Sequence, residues 1–153
     1  MKLTSPAFEN NGKIPSKYTC DGVGISPPLK ISDVPANAKT LVLLMEDPDI
    51  PEVVKQRFRI QIWDHWILFN LPATTKEIPE GKSVGTKGKG TYPHLNYGGP
   101  CPPDKEHRYF FKLYALDAKL DLLEGATKVQ VEKAMHSHIL ARIELIGRYE
   151  RIR

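Results

Sequence analysis

Residues 108–116 read RYFFKLYAL, and this stretch decides the fold class. Tyr109, Phe111, Leu113 and Ala115 fall on one face, with Arg108, Lys112 and Tyr114 among those on the other. That period of two belongs to a strand and not to a helix. Residues 139–146 repeat it, with Ile139, Ala141, Ile143 and Leu145 aligned. Two further runs, TLVLLME at 40–46 and HWILFNL at 65–71, are short, apolar and bounded by Pro or Asn-type breakers, and both read as buried strands. Between these runs, 13 prolines and 11 glycines cut the chain into pieces too short for long helices. One helix is expected: Thr127 can cap it, Gln130 completes a capping box, and Val131, Ala134, Met135 and His138 recur at helical spacing. It should end near His138. With no internal repeat, linker or composition break, residues 1–153 read as one antiparallel β domain with one or two short helices.

The composition narrows the function classes. The chain has 153 residues, 41% of them hydrophobic and 26% charged, which excludes disorder and fits one globular core. Its longest apolar stretches, at 41–45 and 66–69, are far below the ~18 residues a spanning helix needs, so no stable membrane insertion is expected. The first residues lack the apolar segment of a secretory signal, which reads as a cytoplasmic location. A formal net charge of +4 raises the question of nucleic acid, but the lysines of 82–89 and the arginines of 148–153 lack interleaved aromatics. No nucleic-acid partner is expected. Cys20 and Cys101 are too few for a zinc site and either pair with each other or stand as separate thiols.

Two motifs are decoys. Gly81-Lys82-Ser83-Val84-Gly85 matches G-x-S-x-G, but polar, Pro-broken residues precede it and glycines follow, so the strand-to-helix turn of a serine nucleophile is not expected there. Gly85 and Gly90 have the spacing of a phosphate loop, but Thr91 stands where lysine is required. The remaining polar chemistry lies in three pieces at strand edges: Glu46-Asp47-Pro48-Asp49, Trp63-Asp64-His65-Trp66, and residues 97–103 (YGGPCPP) followed by His107-Arg108-Tyr109. Residues at strand ends that face a shared loop layer can converge on one pocket.

Taken together, and with residues 15–22 (PSKYTCDG) and Ser26-Pro27-Pro28-Leu29, these pieces resemble the phosphatidylethanolamine-binding protein (Raf kinase inhibitor protein-like) family, in its bacterial and archaeal branch. The resemblance runs over almost the entire chain. It implies a central antiparallel sheet packed on a smaller one, with an anion pocket at one edge. Carried over, that pocket comprises Asp47, His65, Gly99, Pro100, His107 and Tyr109, with Asp49 supporting nearby and Tyr97 and Pro102 shaping the mouth. The resemblance also implies a cis Ile50–Pro51 bond and a homodimer.

Such a pocket has a coherent chemistry: His65, His107, the Tyr109 hydroxyl and backbone N–H groups near Gly99 can donate to a phosphate-like group, while Asp47 orients one imidazole and favours its charged form. No metal and no cofactor is expected, since neither ligand spacing nor a cofactor fingerprint is present. The expected function is therefore regulatory binding of a small anionic or phosphate-bearing ligand, or of a phosphorylated or acidic protein segment, and not enzymatic catalysis. The alternative is a serine protease or peptidase inhibitor acting through surface loops such as residues 83–94, with a protease or kinase as the protein partner. Residues 52–62 (EVVKQRFRIQI) depart from the family pattern, and the chain ends soon after the strand near Tyr149, without the C-terminal helix of animal members. The rim of the pocket is accordingly expected to be its own.

Overall fold

The computed structural model describes residues 1–92 and 95–152. In chain order the elements are β1 (Lys2–Thr4), β2 (Gly12–Lys13), β3 (Leu29–Ser32), β4 (Thr40–Asp47), α1 (Glu52–Phe58), β5 (Trp63–Pro72), β6 (Glu77–Ile78), β7 (Thr86–Lys87), β8 (His107–Leu116), α2 (Lys128–Met135) and β9 (Ile139–Tyr149). Six strands form one sheet in the order β2-β9-β8-β4-β5-β7, and three form a second in the order β1-β3-β6. The fold is mainly β with two sheets and two helices, as expected. Pairing is antiparallel except at one edge, where the two-residue β2 runs parallel to β9.

The large sheet is covered on both faces. Tyr109, Phe111, Leu113 and Ala115 of β8, with Leu41, Leu43 and Met45 of β4, face a core closed by Leu3, Leu29, Ile31 and Ile78 of the small sheet. Val42 and Leu44 of β4, Ile67 and Phe69 of β5, and Tyr114 and Leu116 of β8 face the other way, onto Val131 and Met135 of α2. This explains why β4 reads as an unbroken apolar run: every one of its residues is buried. The same apolar side chains also explain the strength of the assembly, because each fully buried Leu, Val or Phe contributes roughly 1.5–3 kcal/mol.

α2 has the expected capping box. The Gln130 N–H donates to Thr127 Oγ1 at 3.3 Å and the Thr127 N–H donates to Gln130 Oε1 at 2.9 Å. The helix ends at Met135, and His138 instead leads into β9. α1 was not anticipated. Pro51 precedes it with φ −66°, Glu52 sits in its first turn, and Arg59 terminates it in the left-handed region at φ 56°. The Ile50–Pro51 bond is trans, contrary to expectation; Pro51 is used here to start a helix. Residues 81–85 form a loop with Gly81 and Gly85 at positive φ, as the reading of the decoy motif required.

Cys20 and Cys101 are joined by a disulfide with Cα atoms 5.4 Å apart. The bond closes a sequence separation of 81 residues. It fastens residues 97–101 to the turn at 16–22, where the Cys20 N–H donates to the Pro100 carbonyl at 3.1 Å and the Tyr97 hydroxyl donates to the Tyr18 carbonyl at 2.7 Å. Cross-linking a loop of this length removes denatured-chain entropy equivalent to about 4 kcal/mol. Replacing both cysteines with serine is therefore expected to lower the unfolding free energy by about 4 kcal/mol, measured by denaturant titration against the oxidised protein. A loss below about 1 kcal/mol would show that the disulfide does not constrain the chain in this way.

Candidate functional site

The pairing of β4 with β5 carries two irregularities. Met45 pairs with Trp66 and Glu46 with Asp64, which leaves His65 as an extra residue in β5. The second lies between Leu41/Leu71 and Leu43/Leu68, where Asn70 adopts φ 53° and its side chain exchanges two hydrogen bonds with the Leu120 backbone, at 2.9 and 2.8 Å. A bulge reverses the side-chain alternation that follows it. Asp64 therefore shares a face with Glu46, and Trp63 and His65 turn to the opposite face, where Asp47, His107 and Tyr109 stand.

Those side chains meet in one cavity of about 240 Å³ at the edge of the large sheet. Asp47, His65, Gly99, His107 and Tyr109 supply its polar surface. Ile50, Pro51, Val54, Phe58, Trp63, Tyr92, Pro102 and Pro103 form most of an apolar wall. Trp63 is central to that wall, edge-to-face with Phe58 at 5.3 Å and with Tyr92 at 5.1 Å between ring centroids.

Asp47 is the hub of the polar part. Its Oδ1 accepts from the Asp49 N–H at 2.7 Å, the side-chain turn that the Asp-Pro-Asp sequence favours, and its Oδ2 lies 2.7 Å from His107 Nδ1. The other ring nitrogen of His107, Nε2, lies 2.6 Å from Asp104 Oδ1. Both nitrogens face carboxylate acceptors, so both are donors and the ring is an imidazolium. Burial alone would lower the His107 pKa, but the Asp47 and Asp104 carboxylates outweigh it and raise it. His65 is in the opposite state. Its Nδ1–H donates to the Gly98 carbonyl at 2.7 Å, and burial holds the ring below the ordinary imidazole range, with the charge on His107 pushing the same way. A neutral ring with Nδ1–H committed presents Nε2 as an acceptor.

The Tyr109 hydroxyl is buried with no hydrogen-bond partner among the described residues. Burial, reinforced by the charge of Asp47, raises its pKa and keeps the proton on the oxygen. Orphaned buried hydroxyls are rare because each forgoes a hydrogen bond that water would have supplied. This one belongs to a residue that lines the cavity.

The family model described as phosphatidylethanolamine-binding protein matches residues 4–150. The chain belongs to the phosphatidylethanolamine-binding protein family. A UPF0098 protein of Chlamydia trachomatis is 49% identical over 152 residues, covering 99% of both chains. Another, of Methanothermobacter thermautotrophicus, is 45% identical and likewise covers 99% of each. Among solved structures, a phosphatidylethanolamine-binding protein homologue from C. trachomatis superposes with a TM-score of 0.93 at 48% identity, covering 98% of this chain and 97% of that one. E. coli YbcL, described as a new member of the mammalian family, superposes at 0.86 with 26% identity, covering 99% of this chain and 98% of its own.

Within this family member, the expected site residues divide into two groups. Asp47, His65, Gly99, Pro102, His107 and Tyr109 line the cavity. Gly99 is there because its backbone passes so close to Tyr18 that a Cβ would stand 2.8 Å from the Tyr18 carbonyl oxygen. Asp49, Tyr97 and Pro100 lie outside the lining. Asp49 accepts from the Arg108 N–H, Nε and Nη2 at 2.9, 2.9 and 2.8 Å, which fixes the start of β8 beside His107. Tyr97 stacks edge-to-face on Trp66 at 5.3 Å and lines a separate cavity of about 200 Å³ with Ser26 and Lys87. The Pro100 carbonyl is taken by Cys20. Apart from Pro102, sequence reading missed the apolar wall, and it missed Asp104. Of the loop at 83–94 considered for the inhibitor alternative, residues 93 and 94 lie outside the described residues.

The two imidazoles should titrate apart. Ring NMR across pH is expected to place the His107 midpoint above the ordinary value of about 6.5 and the His65 midpoint below it. Asp47→Asn should bring the His107 midpoint down. Because the folded-state pKa of His107 is raised, its contribution to stability is complete below about pH 6.5 and is lost as pH rises through the raised midpoint. A His65 midpoint above that of His107 would contradict this account of the charges.

Proposed function

We propose that the protein binds a small phosphate-bearing anion, free or attached to a larger ligand or protein segment, and that it acts as a regulatory binding protein and not as an enzyme. The observation that carries this reading is the Tyr109 hydroxyl, a buried donor with no partner among the described residues, in a cavity that also holds a charged His107. An anion is the ligand that uses both groups. A phosphoryl oxygen accepts from Tyr109 and from the imidazolium, and hydrogen bonds to charged groups are the stronger kind. His65, neutral with an accepting Nε2, suits a phosphoryl oxygen that carries a proton.

The size of the cavity extends the reading. Its volume of about 240 Å³ corresponds to roughly eight waters of liquid, more than a phosphoryl group fills. The remaining space runs along Val54, Phe58 and Trp63, so the reading is of a phosphate ester whose organic portion rests on these side chains. The Nδ1 atoms of the two imidazoles are committed to fixed partners, Asp47 and Gly98, which favours holding a ligand over moving its protons. The reading keeps the cytoplasmic setting and the homodimer expected from the sequence. No helix among the described residues is long and apolar enough to cross a membrane.

The test is an amide and imidazole NMR titration with inorganic phosphate, phosphorylethanolamine and sulfate. Saturable shifts are expected at Asp47, His65, His107 and Tyr109, abolished in His107→Ala. Tyr109→Phe should weaken phosphate about tenfold, the loss expected when one hydrogen bond to a charged group is removed. Affinity should fall as pH rises through the His107 midpoint, opposed below about pH 6 by protonation of the phosphate. Phosphorylethanolamine binding no more tightly than phosphate would assign recognition to the phosphoryl group alone. The absence of any shift at millimolar ligand would reject the reading.

A further inference from the structure

His107, which lines the cavity, already holds an anion on its second ring nitrogen. Asp104 lies three residues before His107, in the irregular segment after Pro102 and Pro103, and its carboxylate sits 2.6 Å from His107 Nε2. The two ends of the ring differ in their surroundings. Asp47 is buried, with 4% of its side chain exposed, and is tied down by the Asp49 N–H; Asp104 is 38% exposed. The Nδ1 contact is thus part of the core between β4 and β8, whereas the Nε2 contact is made from a surface loop.

Formal charges give the consequence. His107 contributes one positive charge and Asp47 and Asp104 two negative ones, while His65 is neutral, so the group as it stands carries a net charge of −1. A doubly charged phosphate entering beside Tyr109 meets repulsion from Asp104 and finds Nε2–H occupied. Removing Asp104 from the ring changes both conditions at once: the group becomes neutral and Nε2–H becomes a free donor on a ring that lines the cavity with Tyr109.

We infer that Asp104 is a specificity-determining residue that occupies the ligand-facing donor of His107, so that only an anion able to replace its carboxylate enters the cavity. This rests on the anion-binding reading above and deepens it. The exchange is conservative, one oxygen acceptor on Nε2 for another, and no covalent bond changes. It favours phosphate and phosphate monoesters, whose second charge and spare oxygens engage Nε2–H and Tyr109 together. A singly charged or neutral ligand gains too little to displace a carboxylate tethered three residues away. The prolines at 102 and 103 restrict the backbone φ of the approach, which leaves the Asp104 side chain and residues 104–106 to supply the movement.

The experiment compares wild type, Asp104→Ala and Asp104→Asn by calorimetric and NMR titration with inorganic phosphate at pH 7.5. Asp104→Ala is expected to bind phosphate about tenfold more tightly than wild type, the equivalent of about 1.4 kcal/mol, with Asp104→Asn between the two. Acetate, as the singly charged probe, should show its gain in Asp104→Ala from undetectable to measurable binding. In ligand-free protein, both variants should alter the His107 Nε2 chemical shift more than that of Nδ1; an unaltered Nε2 would overturn the contact itself. Equal phosphate affinity in all three proteins, or weaker binding in Asp104→Ala, would overturn the inference while leaving the anion reading intact. No phosphate binding in any of the three, with spectra otherwise native, would reject the anion reading instead.

Discussion

The site depends on one extra residue in β5. Were β5 regular from Trp66 backwards, His65 would point to the α2 side of the sheet and Asp64 to the cavity. The bulge at His65 inverts this, and the inversion sorts two chemically different groups onto two faces. His65 arrives beside Tyr109, ring centroids 5.3 Å apart, where a neutral imidazole costs little to bury. Asp64 arrives beside Glu46, where both carboxylates meet Lys128, at 2.7 Å from Asp64 and 3.0 Å from Glu46, with Lys112 a further 2.7 Å from Glu46. Without the bulge, a third carboxylate would face the pair already holding His107, and Lys128 would lose one of its two partners.

The charge cluster on the far face does structural work for the cavity. Burial opposes the charged form of Glu46, but Lys112 and Lys128 outweigh it and lower its pKa; at Asp64 burial wins over Lys128, and the pKa is raised. Buried ion pairs of this kind add little net stability but are costly to break, because a lone charge is left behind. Lys128 opens α2, so the network fastens the first turn of that helix to β4 and β5 directly behind the site. The strand ends carrying Asp47 and His65 are held from behind by ions and from the front by the Asp49–Arg108 fork.

Legibility followed burial pattern. β8 was readable because its two faces differ in polarity, β4 because both of its faces are buried, and α2 because its capping box is written in two side chains. α1 was not, since none of its seven residues is buried and its one apolar pair at helical spacing, Val54 and Phe58, is too short to establish a period. The small sheet was implied by the family resemblance, but its strands were not located for a related reason: they are two to four residues long, too short for alternation to show. The cavity's polar residues were legible through their order along the chain, as a family pattern. Its apolar wall was not, because Val54 and Phe58 sit on the unreadable helix and Trp63 is aimed by a bulge that leaves no mark in composition. Asp104 was not singled out, since only the fold shows which nitrogen it meets.

What remains is why one pocket should keep two histidines in opposite states. Burial disfavours charge on both rings and prevails at His65. At His107 it is outweighed by what the ring nitrogens face: the carboxylates of Asp47 and Asp104, where His65 Nδ1 has a peptide carbonyl. A carbonyl accepts a hydrogen bond from either protonation state and gives the cation little advantage, whereas a buried carboxylate strongly favours it. Once His107 is charged, its field further disfavours charge on His65, so the two assignments reinforce each other. The outcome is a cavity with one cation, one acceptor and one hydroxyl, the set on which the proposed binding of a phosphoryl group rests. The difference between the carboxylates that meet His107 and the peptide carbonyl that meets His65 is therefore what sets the two rings in opposite states.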